Sequence, residues 1–298
     1  VTPFVEPRIR CAKSAASRQS GGPIIFSASR RSDLVGWYPD ELAALISAKM
    51  DRFRTRFLYG VVFWTRFPHH LLSDPLYTLI QKRLDNVVVN LTLTGLGASR
   101  FEPRAPRTEK VLETLPALVA LLGHPARVRW RFDPLLYGVS RVETFDRIGR
   151  RMAALSIDTC TFSFPAKRSL RGALAAQYRS AGIKPWPNRA AQRAFLQKLA
   201  RCARTLSIRL LSCAQPANLT LDPWIEPAQC IPLEVLRDLH PAGLDYPAHK
   251  DRVQRRHCLC PHSADLGDYA NHRCRTGCVY CYSPAGGPFA TAKRPDWT

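Results

Sequence analysis

NVVVNLTLT, residues 86–94, sets three consecutive valines ahead of an alternating Leu/Thr tail, the form of a short strand whose apolar residues need burial. Residues 108–122 then keep a helical period that stops at Gly123, and RVRWRFD (127–133) is the next β-rich run. Strand, helix, strand in that order is the βα unit of a parallel sheet. The alternation extends in both directions. Strands are predicted at PIIFSASR (23–30), YGVVFWT (59–65), TCTFSFP (159–165) and SIRLLSCA (207–214). Helices are predicted over 40–50, 75–84 behind an Asp74 cap, 140–155, 168–181 ending at Gly182, and 188–206. Pro116 should kink the helix over 108–122.

Six such units predict an α/β fold of the partial (βα)6 TIM-like barrel kind over residues 24–214, with chemistry at the C-terminal ends of the strands. Polar residues collect there: Ser27, Ser29, Arg30, Arg31 and Asp33; Thr65 and Arg66; Thr92, Thr94, Gly95 and Gly97; Arg131 and Asp133; Ser163; Ser212 and Cys213. Arg30 and Arg31 suit two-pronged binding of a carboxylate or phosphate. Arg131 and Asp133 read equally as substrate-binding groups or as an ion pair internal to the barrel.

Beyond the strands, CRTGCVYC (274–281) places Cys274, Cys278 and Cys281 at C-x3-C-x2-C spacing. Among ten cysteines such a coincidence has a chance expectation of about 0.01. Three thiolates on a four-iron cluster leave one iron open, and an open coordination position implies chemistry. Gly277 lets the loop turn back on the cluster. The alternative is a zinc knuckle with His272 as the fourth ligand. Tyr280 ahead of the last cysteine makes the motif resemble the signature of radical S-adenosylmethionine enzymes. That resemblance implies that the adenosylmethionine chelates the open iron while the aromatic lies beside the adenine.

The net charge of +21 would attract polyanions, but the arginines are scattered, so a nucleic-acid partner remains an alternative. Residues 1–23 are polar, basic and Gly/Pro-punctuated and read as a disordered arm in which Cys11 is no ligand. No run of about 18 apolar residues exists, and no signal-like start is present, so a cytoplasmic protein without a membrane partner is expected.

A wider resemblance lies in IIFSASRRSDL (24–34), VVFWTRFP (61–68), LTLTGLG (91–97), WRFDPLL (130–136), SCAQ (212–215), KDRVQR (250–255), CLC (258–260), LGDY (266–269) and CRTGCVYCYS (274–283). Together these resemble, in order, the bacterial family catalogued as domain of unknown function 1848. The resemblance implies a radical-adenosylmethionine-like cysteine cluster at the C-terminus, residues 215–298 folding over the barrel mouth. In typical radical adenosylmethionine enzymes the cluster loop follows the first strand, whereas here it follows the sixth predicted one. A circularly permuted core reconciles the two. The usual GGEP-like stretch is missing, and Thr94, Gly95 and Gly97 stand in for it as adenosylmethionine contacts.

Cys213, Cys230, Cys258 and Cys260 fall on further cysteines expected in that family. A thiolate tetrad serves an auxiliary [4Fe-4S] cluster or a zinc ion equally. Alternatively Cys213 is a lone hydrogen-atom donor, or Cys258 and Cys260 join His257 or His262 around zinc. Cys160 and Cys202 read as packing residues. The leading expectation is an iron-sulfur enzyme, reduced by flavodoxin or ferredoxin, that generates a 5′-deoxyadenosyl radical from S-adenosylmethionine to act on a substrate in the barrel mouth. Its rivals are a zinc-stabilised nucleic-acid-binding protein, an electron-transfer or redox-sensing iron-sulfur protein, and a radical enzyme that acts on nucleic acid.

Overall fold

The computed structural model describes residues 22–52, 57–165, 173–180, 182, 188–216, 222–247, 249–251, 257–268 and 270–281. The arm over 1–21 with Cys11, the first part of the helix expected over 168–181, and Arg252–Arg255, Tyr269, Tyr282 and Ser283 of the family motifs lie outside the described residues.

The six predicted strands form as β1 (Ile24–Ala28), β2 (Leu58–Thr65), β3 (Val87–Thr92), β4 (Val128–Arg131), β5 (Thr159–Phe162) and β6 (Arg209–Ser212). Ser27, Thr65, Thr92, Arg131 and Ser212 lie within the strands, whereas Ser29, Arg30, Arg31, Asp33, Arg66, Thr94, Asp133, Ser163 and Cys213 lie just beyond their ends. Two strands were not foreseen, β7 (Ile225–Pro227) and β8 (Ala264–Asp265). All eight pair in parallel, in the linear order β7-β6-β5-β4-β3-β2-β1-β8. The sheet does not close among the described residues.

The helices are α1 (Leu34–Trp37), α2 (Pro39–Arg52), α3 (Leu76–Arg83), α4 (Thr108–Leu122), α5 (Val142–Ala153), α6 (Ala173–Ser180), α7 (Arg189–Thr205) and α8 (Leu233–Asp238). Asp74 accepts from the Thr78 backbone N–H at 3.2 Å, and Asn188 caps α7 through the Ala191 N–H at 2.9 Å. Pro116 lies inside α4, which continues as helix on both sides of it and ends at a left-handed Gly123.

Side-chain alternation along the strands divides the core in two. Phe26, Val61, Phe63, Val89, Leu91, Trp130 and Phe162 point to the face covered by α2, α3, α4, α5 and α7. Ile25, Val62, Val88 and Leu211 point to the other face, where Cys230, Ile231, Leu236, Tyr246, Cys258 and Cys260 pack on them. The C-terminal segment thus fills the side of the sheet that a barrel would turn inward. Buried polar groups fasten it there. Asn90 donates to the Cys230 carbonyl at 2.8 Å, Asn86 to the Leu236 carbonyl at 2.7 Å, and Arg127 to the Leu239 carbonyl at 2.6 Å.

Candidate functional site

β8 leads into the three-cysteine loop and pairs with β1, which brings the loop onto the C-terminal ends of β1, β2 and β3. The Trp37 indole donates to Thr276 Oγ1 at 3.0 Å and the Tyr38 hydroxyl to the Arg273 carbonyl at 2.9 Å. Buried Arg104 donates from its side chain to the Arg275 carbonyl at 2.9 Å and from its backbone to the Thr276 carbonyl at 3.3 Å. Gly277 turns the chain at φ 74°, and Val279 N–H reaches the Phe101 carbonyl at 3.1 Å. The loop is therefore fastened on both sides of Gly277.

Within it Cys278 is buried, while Cys274 and Cys281 are half-buried. Burial pushes the Cys278 thiol well up; the Arg66 charge opposes this, and charges on Glu102, Cys274 and Cys281 reinforce it. The three thiols are thus close enough for ionising one to penalise another. A metal cluster relieves that repulsion, so the donor set suits one.

Tyr280 ends in a buried network. Its hydroxyl donates to Glu102 and accepts from Arg66 at 2.7 Å; Arg66 pairs with Glu102 at 2.8 Å, and Thr94 Oγ1 donates to Glu102 at 2.6 Å. Burial disfavours the Arg66 charge, but Glu102 and Tyr280 outweigh it and hold the guanidinium well above its ordinary value. The Arg66 backbone N–H is held by Asp33 at 2.8 Å, and burial raises Asp33 above the usual carboxylate value despite such bonds. Glu102 had no signal in the sequence. It belongs to no periodic element, and its partners come from the loops after β2 and β3 and from the C-terminal loop.

Gly95 and Gly97, expected as cofactor contacts, face their own chain. A Cβ on Gly97 would stand 1.8 Å from the Pro106 carbonyl oxygen, and one on Gly95 would stand 2.3 Å from Thr144 Cγ2. Arg30 and Arg31 separate: Arg30 turns to Ser263 and to Asp251 at 3.6 Å, while Arg31 is exposed. Arg131 pairs with Asp133, which accepts from Ser163, and the guanidinium lies 5.0 Å above the Trp64 ring.

The other four cysteines meet at the end of β6. Cys213 and Cys230 place their sulfurs 3.2 Å apart, Cys230 N–H donates to Cys260 Sγ at 3.2 Å, and Arg131 donates to Cys230 Sγ at 3.1 Å. Hydrogen bonds from the Cys213 and Cys260 thiols, then Arg131, hold Cys230 well below the ordinary thiol value; Cys213 is raised in turn. A bond from Cys260 lowers Cys258 to about 6. His257 and His262 are exposed, whereas Cys258 and Cys260 are buried. Cys160 lies in the helix-covered core, and Cys202 is half-buried with its thiol raised to about 11, first by burial. Among the described residues no group of three or more His, Cys, Asp or Glu side chains stands ready-arranged around a metal ion, and no helix is long and apolar enough to cross a membrane.

No curated protein and no solved structure matches the chain. A family model described as a domain of unknown function (DUF1848) matches residues 25–283, a span that takes in the whole sheet but for Ile24 and both cysteine groups, and the chain belongs to that family.

Proposed function

We infer that the protein is a radical S-adenosylmethionine-type iron-sulfur enzyme whose cluster is held by Cys274, Cys278 and Cys281. The observation that carries this reading is the fastening of the three-cysteine loop over parallel strand ends by the Tyr280–Glu102–Arg66–Thr94 network and by Trp37 and Arg104. Parallel sheets do their chemistry at that edge. Thiolates on a four-iron cube stand on separate irons, so they need not converge on one point as ligands of a single ion do.

Sheet order supports the permuted core. β8 is eighth in sequence but sits at the edge beside β1, so the cysteine loop follows the spatially first strand of the row. When bound, the cluster supplies one-electron reductive cleavage of the adenosylmethionine sulfonium, with flavodoxin or ferredoxin as the electron donor. The chain's part is positional. Arg66 and Glu102 fix the loop, Phe101 packs with Cys278 and Tyr280, and Trp37 holds Thr276 from α1.

Anaerobic reconstitution with iron and sulfide, reduction, and low-temperature electron paramagnetic resonance with and without S-adenosylmethionine test the reading. A reduced [4Fe-4S] signal that shifts on adding adenosylmethionine and is lost in Cys278→Ala is expected. A signal indifferent to adenosylmethionine would favour an electron-transfer protein instead, and a colourless zinc protein with salt-dependent DNA binding would favour a nucleic-acid binder.

A further inference from the structure

We propose that Cys213, Cys230, Cys258 and Cys260 are the ligands of a second metal site, a tetrathiolate centre for a single zinc-class ion that ties the C-terminal segment to the end of β6. The four residues come from three separate stretches of chain and meet on the sheet face opposite the helices, all of them buried. Their contacts run as a chain from Cys213 through Cys230 and Cys260 to Cys258.

Three features separate this group from ordinary buried cysteines such as Cys160. The first is scale. Zinc–sulfur bonds of about 2.3 Å place tetrahedral sulfurs about 3.8 Å apart; Cys213 and Cys230, at 3.2 Å, lie closer than that and would open slightly around an ion. Thiolates that serve separate irons of a cube stand wider.

The second is strand geometry. Side chains two apart on an extended segment share a face, so the C-x-C pair sends Cys258 and Cys260 inward while Leu259 between them is 43% exposed. The short spacing that looks awkward for a metal loop thus delivers two sulfurs to one place.

The third is the set of donors aimed at sulfur. Arg131 gives a guanidinium N–H to Cys230 Sγ, and the Cys230 backbone gives its N–H to Cys260 Sγ. Four thiolates on a divalent ion carry a net charge of about −2. Arg131, oriented by Asp133 and Ser163, offsets part of it, as outer partners of metal ligands do. The sulfurs are gathered but not closed into a cage; rotation of side chains at the ends of the chain of contacts is what ligation adds.

The experiment compares zinc and iron contents of anaerobically prepared protein with those of Cys230→Ser and Cys278→Ser. Expected are about one zinc per chain in the parent, zinc lost and iron kept in Cys230→Ser, and zinc kept in Cys278→Ser. Cobalt(II) is also titrated into metal-stripped parent protein and into Cys278→Ser, an arm that does not depend on the folding of Cys230→Ser. Intense tetrahedral d–d bands with sulfur-to-cobalt charge transfer, abolished by zinc, are expected in both. Absence of those bands, or loss of iron rather than zinc in Cys230→Ser, overturns the proposal. Both arms read out independently of adenosylmethionine chemistry, so failure here leaves the three-cysteine reading standing, and the reverse.

Discussion

Glu102 is the residue on which the three-cysteine loop turns. It is 1% exposed and receives bonds from Tyr280, Arg66 and Thr94, side chains that belong to three different parts of the chain. Removing one member of a buried ion pair leaves the other charge without compensation, which costs about 3–5 kcal/mol. Glu102→Ala should therefore lower unfolding stability by that amount in denaturant titration and reduce the iron retained after reconstitution. Tyr280→Phe keeps the ring and loses only the hydroxyl, so a smaller loss of about 1–3 kcal/mol is expected. If Tyr280→Phe retains iron fully while Glu102→Ala does not, the ion pair rather than the hydroxyl positions the loop. Thr94 was legible as a strand-end residue, but its partner was not, because a hydrogen bond to Glu102 leaves no periodic mark in either segment.

At the scale of elements, what the sequence made visible is what repeats within a short window. The six longer strands and the helices α2 to α5 and α7 follow their hydrophobic periods to within a few residues. β7 and β8, of three and two residues, are too short to carry a period and exist because neighbouring strands offer unpaired edges. α4 illustrates the limit of local rules from the other side. Pro116 removes one backbone donor, yet Leu112, Leu115 and Leu118 bury one face of the helix and hold it together through the proline. Pro116 itself is exposed, so Pro116→Ala should restore the missing bond without disturbing packing. A gain of about 1–2 kcal/mol in denaturant unfolding is expected; a loss would mean that the neighbouring core is fitted to the proline bend.

For the whole molecule, the C-terminal segment decides the architecture. It covers one face of the sheet, adds a strand at each edge, and carries six of the seven cysteines proposed as metal ligands, with Cys213 at the end of β6 as the seventh. Arg127 is one of the polar ties on that face, donating to Asn86 and the Val87 carbonyl beside β3 and to the Leu239 carbonyl of the segment. Arg127→Ala leaves those buried acceptors short of a donor, a cost of about 2–4 kcal/mol. Limited proteolysis should then cut within residues 222–251 well before the helix-covered core; unchanged cutting would show that apolar packing alone holds the segment.

The sequence by itself determined the βα order, the parallel character of the sheet and the three-cysteine spacing, because each is written in residues a few positions apart. It also marked Cys213, Cys230, Cys258 and Cys260 as a group without saying where they meet. Only the tertiary structure decided that β8 pairs with β1, that Tyr280 ends on Glu102 and Arg66, that Arg30 and Arg31 part company, and that four distant thiols share one buried spot. Those features depend on which apolar faces bury one another, and burial between segments as far apart as Glu102 and Tyr280, 178 residues, is settled by packing of the whole chain rather than by any local pattern.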